Sequence, residues 1–229
     1  MTILSFYSQN GECSVAIKKQ QILYQETVLL TADRTQAQEL IPLIQHVWKQ
    51  ADNSPFTTLM TARGPGAFTS LRVTLSVAQG FSLAFNQAQI FAPTHFDVLY
   101  YTAAQHTSNP VMALIDSKRG DWYGRIYPNT LTGAHPITIA ETQVFDAVKL
   151  QKYLQENPAF KIIADFPLEE SFTPYRIFHQ DNLAVRQIEL FQDPAFKFVW
   201  QNDRECQTFQ PYYFYDPIYG KKKQINVSG

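Results

Sequence analysis

The 229-residue sequence has only two cysteines, Cys13 and Cys206, near opposite ends of the chain. Neither belongs to a C-x-x-C pair, which favours buried thiols in a reducing compartment over a disulfide framework. No apolar run approaches the roughly 20 residues of a membrane span, and the first residues lack the basic and apolar regions of a signal peptide. We therefore expect a cytoplasmic protein that does not enter a membrane.

The sequence also has almost no net charge. Its 19 Lys and Arg residues and 20 Asp and Glu residues leave a formal charge of -1. A protein that binds nucleic acid through its own surface usually carries a basic patch that attracts phosphates. We therefore expect tRNA or other RNA to be contacted at most indirectly, through a partner or a small local site.

Common catalytic and metal-binding motifs are missing as well. The sequence has no G-x-S-x-G motif and no pair of histidines spaced four residues apart on a helix. Asp116 ends an apolar run just before Ser117–Gly120, and we expect it to cap that turn. We predict no catalytic, cofactor-binding or metal-binding residue. The five histidines are predicted to be surface or hydrogen-bonded residues: His46, His95, His106, His135 and His179.

The order of predicted elements suggests two α/β lobes. Three short strands within the first 30 residues precede helices that alternate with strands, and the pattern begins again with the apolar segment Val111–Ile115. A polar, proline-bounded stretch at 105–110 separates the two patterns. We predict an N-terminal lobe at 1–107 and a C-terminal lobe at 108–229. Further elements predicted in the second lobe are a strand at Ile137–Ile139 and a helix at Phe145–Leu154.

The stretch Gly64-Pro65-Gly66 precedes a predicted helix at Thr69–Phe85. A phosphate-binding P-loop would need a lysine after its glycines, and none is present; Pro65 also removes one amide donor. The free amides at the start of the helix could still attract an anion. A tight turn that aims the helix is the favoured interpretation, and phosphate binding is the alternative.

Two predicted helices of the first lobe have distinctive surfaces. A capping box, Thr35 with Gln38, starts the first, and its apolar residues recur at helical spacing. The second helix carries two parallel strips of small residues at i, i+4 spacing. One strip is Ser70, Thr74, Ala78 and Ser82, and the other is Ser76, Gly80 and Ala84. Small residues let two helices approach closely. One side of this helix should cover its own sheet, while the other should meet either the first helix or another protein.

The block "ARGPGAFTSLRVTLSVAQGFSLAF" resembles the signature of the bacterial TsaB (YeaZ) family. The segments "CSVAI", "AQELIPLI", "ALIDSKRGDWYGRIY" and "QPYYFYDP" resemble further blocks of that family along the chain. The resemblance implies an actin-like ATPase (sugar kinase/Hsp70) fold with two RNase-H-like lobes. It also implies a non-catalytic, scaffold subunit for TsaD, the enzyme that forms N6-threonylcarbamoyladenosine at position 37 of tRNAs reading ANN codons.

In this family, the two helices of the first lobe contact TsaD, or a second copy of the chain when TsaD is absent, and a TsaE-like ATPase joins the wider complex. The resemblance therefore implies a helical partner interface. Carried over to this sequence, its residues are Ala37, Leu40, Ile41, Ile44, Ser70, Leu71, Thr74, Ala78 and Ser82.

The sequence departs from the family pattern at four positions. Tyr7 stands where the family has the carboxylate of a D-T-S element, and Tyr7 cannot ligate Mg²⁺ as a carboxylate does. Gln36 replaces a histidine, Ser70 a glycine and Phe214 an arginine. Two other hypotheses stay open: a nucleotide-dependent phosphotransferase or peptidase of the same fold, and a homodimer that acts as an interaction module.

Overall fold

A computed structural model of the chain describes residues 1–9, 11–31, 33, 35–127, 141–177, 182–194 and 207–213. Several predicted features lie outside the described residues: the strand at 137–139, Cys206, His135, His179 and Phe214. Within the described part, Cys13 is a buried free thiol, as predicted.

The first sheet begins with the predicted antiparallel meander. Its strand order is β3-β2-β1-β4-β5, in which β4 is parallel to both β1 and β5. The alternation of β1 and β2 sends Leu4, Phe6 and Val15 to one face, and Ser5 and Tyr7 to the other. The five strands are β1 (Thr2–Gln9), β2 (Glu12–Lys19), β3 (Ile22–Leu29), β4 (Thr58–Met60) and β5 (Gln89–Phe91).

Two helices, α1 (Gln36–Gln50) and α2 (Phe68–Ala84), cover the Leu4 face of this sheet. The predicted capping box starts α1, where the Thr35 amide donates to Gln38 Oε1 at 3.0 Å. Residues of both helices share one apolar cluster with β1, β2 and β4. The two helices therefore lie side by side in a single layer, with their outer faces turned away from the sheet.

The second sheet repeats the design with the order β8-β7-β6-β9. The predicted helix at Phe145–Leu154 begins later than expected, because Phe145 ends β8 and the Asp146 side chain caps the helix by accepting the Lys149 amide at 2.7 Å. The elements are β6 (Val111–Asp116), β7 (Trp122–Tyr127), β8 (Gln143–Phe145), α4 (Ala147–Glu156) and β9 (Lys161–Ala164).

Helices α3 (His95–Ala104) and α5 (Leu183–Gln192) lie between the two sheets. Helix α3 packs against β6 although it precedes residue 107, and α5 packs against β1 and β2 although it belongs to the second half of the chain. Tyr127 of β7 also donates to Asp97 of α3 at 3.1 Å. Each half thus supplies a helix to the layer between the sheets, and the partition into domains at residue 107 stays a prediction.

Candidate functional site

The Gly64-Pro65-Gly66 turn is anchored to two distant parts of the chain. Gly64 has a φ of +109°, which favours glycine, and its carbonyl accepts the His95 amide at 2.8 Å. The Pro65 carbonyl contacts His95 Nδ1, so that buried histidine is hydrogen-bonded. On the other side, the Tyr212 amide donates to the Arg63 carbonyl at 2.7 Å. These bonds attach the turn to the start of α3 and to the segment around Tyr212; that the turn aims α2 stays a prediction.

A cavity of about 300 Å³ lies beside this turn, where the start of α2 faces the β6–β7 turn. Two of its potential anion donors already have partners: the Ala67 amide donates to Gln9 Oε1 at 3.2 Å, and Lys118 Nζ contacts Asp116 Oδ2 at 2.8 Å. Asp116 also accepts the Lys118 amide at 2.7 Å, so its predicted capping role is confirmed. Phosphate binding at this cavity stays an untested alternative.

The predicted strip of small residues on α2 faces α1. The Gln36 side chain of α1 donates through Nε2 to the Ser70 carbonyl at 2.9 Å and to the Thr74 hydroxyl. Thr74 is only 2% exposed, and Ala78 is fully buried. The close approach that this strip permits is therefore used within the chain, which was one of the two alternatives left open by the sequence.

The burial of the helices shows which of the predicted interface residues are accessible in the free chain, and the interface itself stays a prediction. Five of the nine predicted interface residues are buried within the chain and cannot meet a partner in this conformation, because they fill the cluster between the helices and the first sheet: Leu40, Ile44, Leu71, Thr74 and Ala78. Ser70 and Ser82 are half-buried, and Ala37 and Ile41 are exposed.

The outer faces of α1 and α2 form the surface that remains available, which we call the α1–α2 face. Leu83 is 82% exposed and Ile41 is 45% exposed. At Gly80 an added Cβ would meet no atom within 4 Å, so the helix surface is open there. The α1–α2 face consists of Ala37, Ile41, Ser76, Gly80, Leu83 and Ala84.

A second polar site lies in the cleft between the two sheets. Tyr7, Gln9 and Glu12 of the first sheet and Asp165 after β9 border a cavity of about 240 Å³. Burial raises the pKa of Asp165 to about 7 and the pKa of Glu12 above its ordinary value. The described residues contain no group of three or more His, Cys, Asp or Glu side chains that could hold a metal ion.

Sequence reasoning did not identify Glu12 or Asp165. Two signals were present: Glu12 occupies the same face of its strand as Ser14 and Ala16, and Asp165 directly follows the apolar strand Lys161–Ala164. A carboxylate on an inward-facing strand position or at the end of a buried strand is a candidate for a polar site. Its neighbours from the other sheet become apparent only in the fold.

Comparisons with known proteins identify the family. Residues 28–182 match the family model described as TsaD: tRNA N6-adenosine threonylcarbamoyltransferase. The chain is 26% identical over 135 residues to the tRNA threonylcarbamoyladenosine biosynthesis protein TsaB of Escherichia coli (strain K12), and 25% identical over 138 residues to the protein of the same name from Buchnera aphidicola subsp. Baizongia pistaciae. This chain is a TsaB/YeaZ member of the TsaD family. The matches cover 58% of this chain, and 58% and 60% of the two relatives.

Solved structures share the fold of this chain. A Pseudomonas aeruginosa protein described as uncharacterized and similar to the peptidase YeaZ aligns with a TM-score of 0.67 and 20% identity over 93% of this chain and 98% of its own. YeaZ from the same organism aligns with a TM-score of 0.61 and 18% identity, over 93% of this chain and 99% of its own. At these identities the likeness shows the fold, and together with the family model it confirms the predicted α/β, RNase-H-like architecture of the actin-like ATPase class. Among the helices that the structure describes, none is long and apolar enough to cross a membrane.

Proposed function

We propose that this chain acts in tRNA threonylcarbamoyladenosine biosynthesis as a non-catalytic, scaffold subunit that binds a TsaD-like catalytic subunit through the α1–α2 face. The family and the names of the curated relatives support the pathway. The proposal includes a TsaE-like ATPase in the wider complex, a homodimer in the absence of the TsaD-like subunit, indirect contact with tRNA and a cytoplasmic location.

The composition of α2 is the observation that carries the proposal. A helix on the surface of a globular protein normally has a charged or polar outer face. Helix α2 contains one charged residue, Arg72, over its 17 residues. Besides the exposed Arg72 and Gln79, its outer face presents Ser76, Gly80 and the 82% exposed Leu83. Small residues beside an exposed leucine suit the close approach of a helix from another protein.

The non-catalytic part of the proposal rests on the end of β1. Tyr7 occupies the position where the family has a carboxylate for metal-nucleotide handling, and it is only 2% exposed. Burial raises the pKa of its hydroxyl well above the ordinary value, so the phenol stays neutral. A neutral phenol is a poor ligand for Mg²⁺, which prefers carboxylate and phosphate oxygens.

Co-expression with the TsaD-like subunit of the same organism tests the proposal. We expect the two proteins to purify together on a tag placed on either one. Gly80→Arg should abolish co-purification, because a charge buried without a partner costs about 3 kcal/mol or more, which is about a hundredfold in Kd. The control is Gln151→Arg, which places the same side chain on the exposed surface of α4.

Two outcomes would contradict the proposal. If the wild-type proteins do not purify together, the chain does not bind the TsaD-like subunit. If Gly80→Arg and the wild type recover equal amounts of that subunit, the α1–α2 face is not the contact. Thr74→Arg, which the sequence pattern alone suggests as the disrupting change, is unsuitable because Thr74 is buried between α1 and α2, and the variant would unfold this region.

A further inference from the structure

The cleft between the two sheets brings together polar side chains that are distant in sequence. In the β1–β2 pair, Tyr7 lies opposite Ser14 and Gln9 opposite Glu12, so Tyr7, Gln9 and Glu12 share the face that looks towards α5. Asp165 approaches from the second sheet at the end of β9. The four residues border the cavity of about 240 Å³, on the opposite side of the first sheet from α1 and α2.

Several of these oxygens are inaccessible to solvent and have no hydrogen-bond partner in the described part of the chain. They are the Tyr7 hydroxyl, Glu12 Oε1 and both carboxylate oxygens of Asp165. Burial raises the pKa values of both carboxyls, and nearby groups offset part of this rise: the Ser14 hydroxyl beside Glu12, and the backbone of Asp116 and Asp165 beside the Asp165 carboxylate. The geometry of these groups does not meet that of a hydrogen bond to these oxygens. Tyr7 as a whole is 2% exposed. Buried polar groups in native proteins are nearly always hydrogen-bonded, and leaving one unpaired is costly. Such a concentration around one cavity indicates a site built to receive a ligand that donates hydrogen bonds.

The charges around the cavity specify the ligand further. Glu12 and Asp165 are acceptors when ionised, so the complementary group is a cation with N–H donors. Of the cations nearby, Lys118 is already paired with Asp116 at 2.8 Å, and Arg176 lines the cavity. The volume far exceeds what one metal ion needs, and no metal-binding group of three side chains exists among the described residues.

We propose that this cavity binds the primary ammonium group of a small organic molecule, with the carboxylates of Glu12 and Asp165 and the Tyr7 hydroxyl as its hydrogen-bond acceptors. The titration behaviour of the site agrees with this. Burial raises the pKa values of Tyr7, Glu12 and Asp165, and the charges of Asp165 and Glu12 raise that of Tyr7 further. Burial is the largest cause of each pKa shift and outweighs the compensation that the chain supplies, such as the charge of Lys118 acting on Asp165. A bound ammonium group would stabilise the ionised carboxylates further.

Calorimetric titration of the full chain with propylammonium chloride at about pH 8, where Asp165 is mostly ionised, tests the proposal. We expect saturable binding that propanol, the uncharged analogue, does not reproduce. Asp165→Asn and Tyr7→Phe should each weaken binding by about tenfold or more, because the first removes the negative charge that attracts the ammonium group and the second removes a hydroxyl acceptor. The control is Glu26→Gln, which removes an exposed carboxylate of β3 that pairs with His46.

The pH dependence gives a second measurement on the wild-type protein. Binding should weaken as the pH falls below about 7, because protonated Asp165 no longer carries the compensating charge. The groups that face Asp165 are Tyr7 and Glu12 from the first sheet, and Asp116 and Lys118 from the β6–β7 turn; Arg176 lines the same cavity. Putrescine and alanine carry the same ammonium group, so the same titration compares their affinities. Tighter binding of putrescine indicates a polyamine ligand, and tighter binding of alanine indicates an amino acid.

Three results would overturn the inference: no binding of propylammonium, equal binding of propanol, or unchanged binding to Asp165→Asn and Tyr7→Phe. If Mg²⁺ binds more tightly than the amine and competes with it, the cavity is a metal site and the inference is wrong. Asp165→Asn removes a buried charge and should remain folded, and Tyr7→Phe keeps the aromatic ring, so a thermal unfolding scan of both variants separates loss of binding from loss of structure.

Discussion

Gly64→Ala should strongly destabilise the protein. A Cβ at this position would lie 2.6 Å from the Tyr212 carbonyl oxygen and 2.9 Å from Leu71 Cδ2, while the φ of +109° is itself unfavourable for alanine. The backbone strain costs about 1–3 kcal/mol. Displacing the Tyr212 backbone and Leu71 costs about another 1–3 kcal/mol. The free energy of unfolding should therefore fall by about 2–6 kcal/mol in total.

Gly66→Ala is the matched control in the same turn. Its Cβ would lie 2.5 Å from Gln9 Oε1, which is the far end of a flexible side chain and can rotate away. The loss is then the hydrogen bond from the Ala67 amide to Gln9, at about 1 kcal/mol. Urea unfolding monitored by tryptophan fluorescence measures both variants. Equal destabilisation of the two, or a loss of less than about 1 kcal/mol for Gly64→Ala, would refute the anchoring of this turn on the segment around Tyr212.

Three further predictions concern stability. Gly80→Ala should raise the free energy of unfolding by about 0.5–1 kcal/mol, since the site is open and alanine favours the helix; a decrease in urea unfolding would show a hidden contact. Thr74→Val should cost about 1–2 kcal/mol by removing the acceptor of Gln36, and a double-mutant cycle with Gln36→Leu should show coupling between the two sites. Asp165→Asn should raise the free energy of unfolding by a few kcal/mol above pH 7 and by little near pH 4. Burial raises the pKa of Asp165 from 3.8 to about 7, so ionising this carboxyl destabilises the folded wild type as the pH rises through that range. The uncharged asparagine side chain avoids this cost. Unfolding curves across this pH range check the last prediction. Burial lowers the pKa of His95 to about 4, so the free energy of unfolding also falls as the pH drops below about 6.5. This second effect is the same in the wild type and in Asp165→Asn.

Much of the architecture could be predicted from the sequence because its signals are local. Alternation and apolar runs identified the three strands of the first meander, and the apolar segment Val111–Ile115 falls within β6, whereas β8 was not predicted. The Thr35 capping box located the start of α1. Such signals depend on neighbouring residues in the chain, so they survive without knowledge of the fold.

The parts that could not be predicted depend on packing between distant segments. A strip such as Ser70, Thr74 and Ala78 indicates a close helix contact, but the pattern is the same whether the second helix belongs to this chain or to another. The Gln36 side chain decided the question, by bonding across to α2. In the same way, Glu12 and Asp165 are ordinary acidic residues until the two sheets bring them to one cavity.

Hydroxyl-radical footprinting of the chain, alone and with the TsaD-like subunit, tests the α1–α2 face most directly. Two aliphatic side chains with similar exposure provide an internal comparison: Leu83 on α2 is 82% exposed, and Val148 on α4 is 78% exposed. Both should be oxidised in the free chain. In the complex we predict that oxidation of Leu83 falls several-fold while that of Val148 is unchanged. Unaltered oxidation of Leu83 in a complex that demonstrably forms would contradict the proposal that α2 carries the contact.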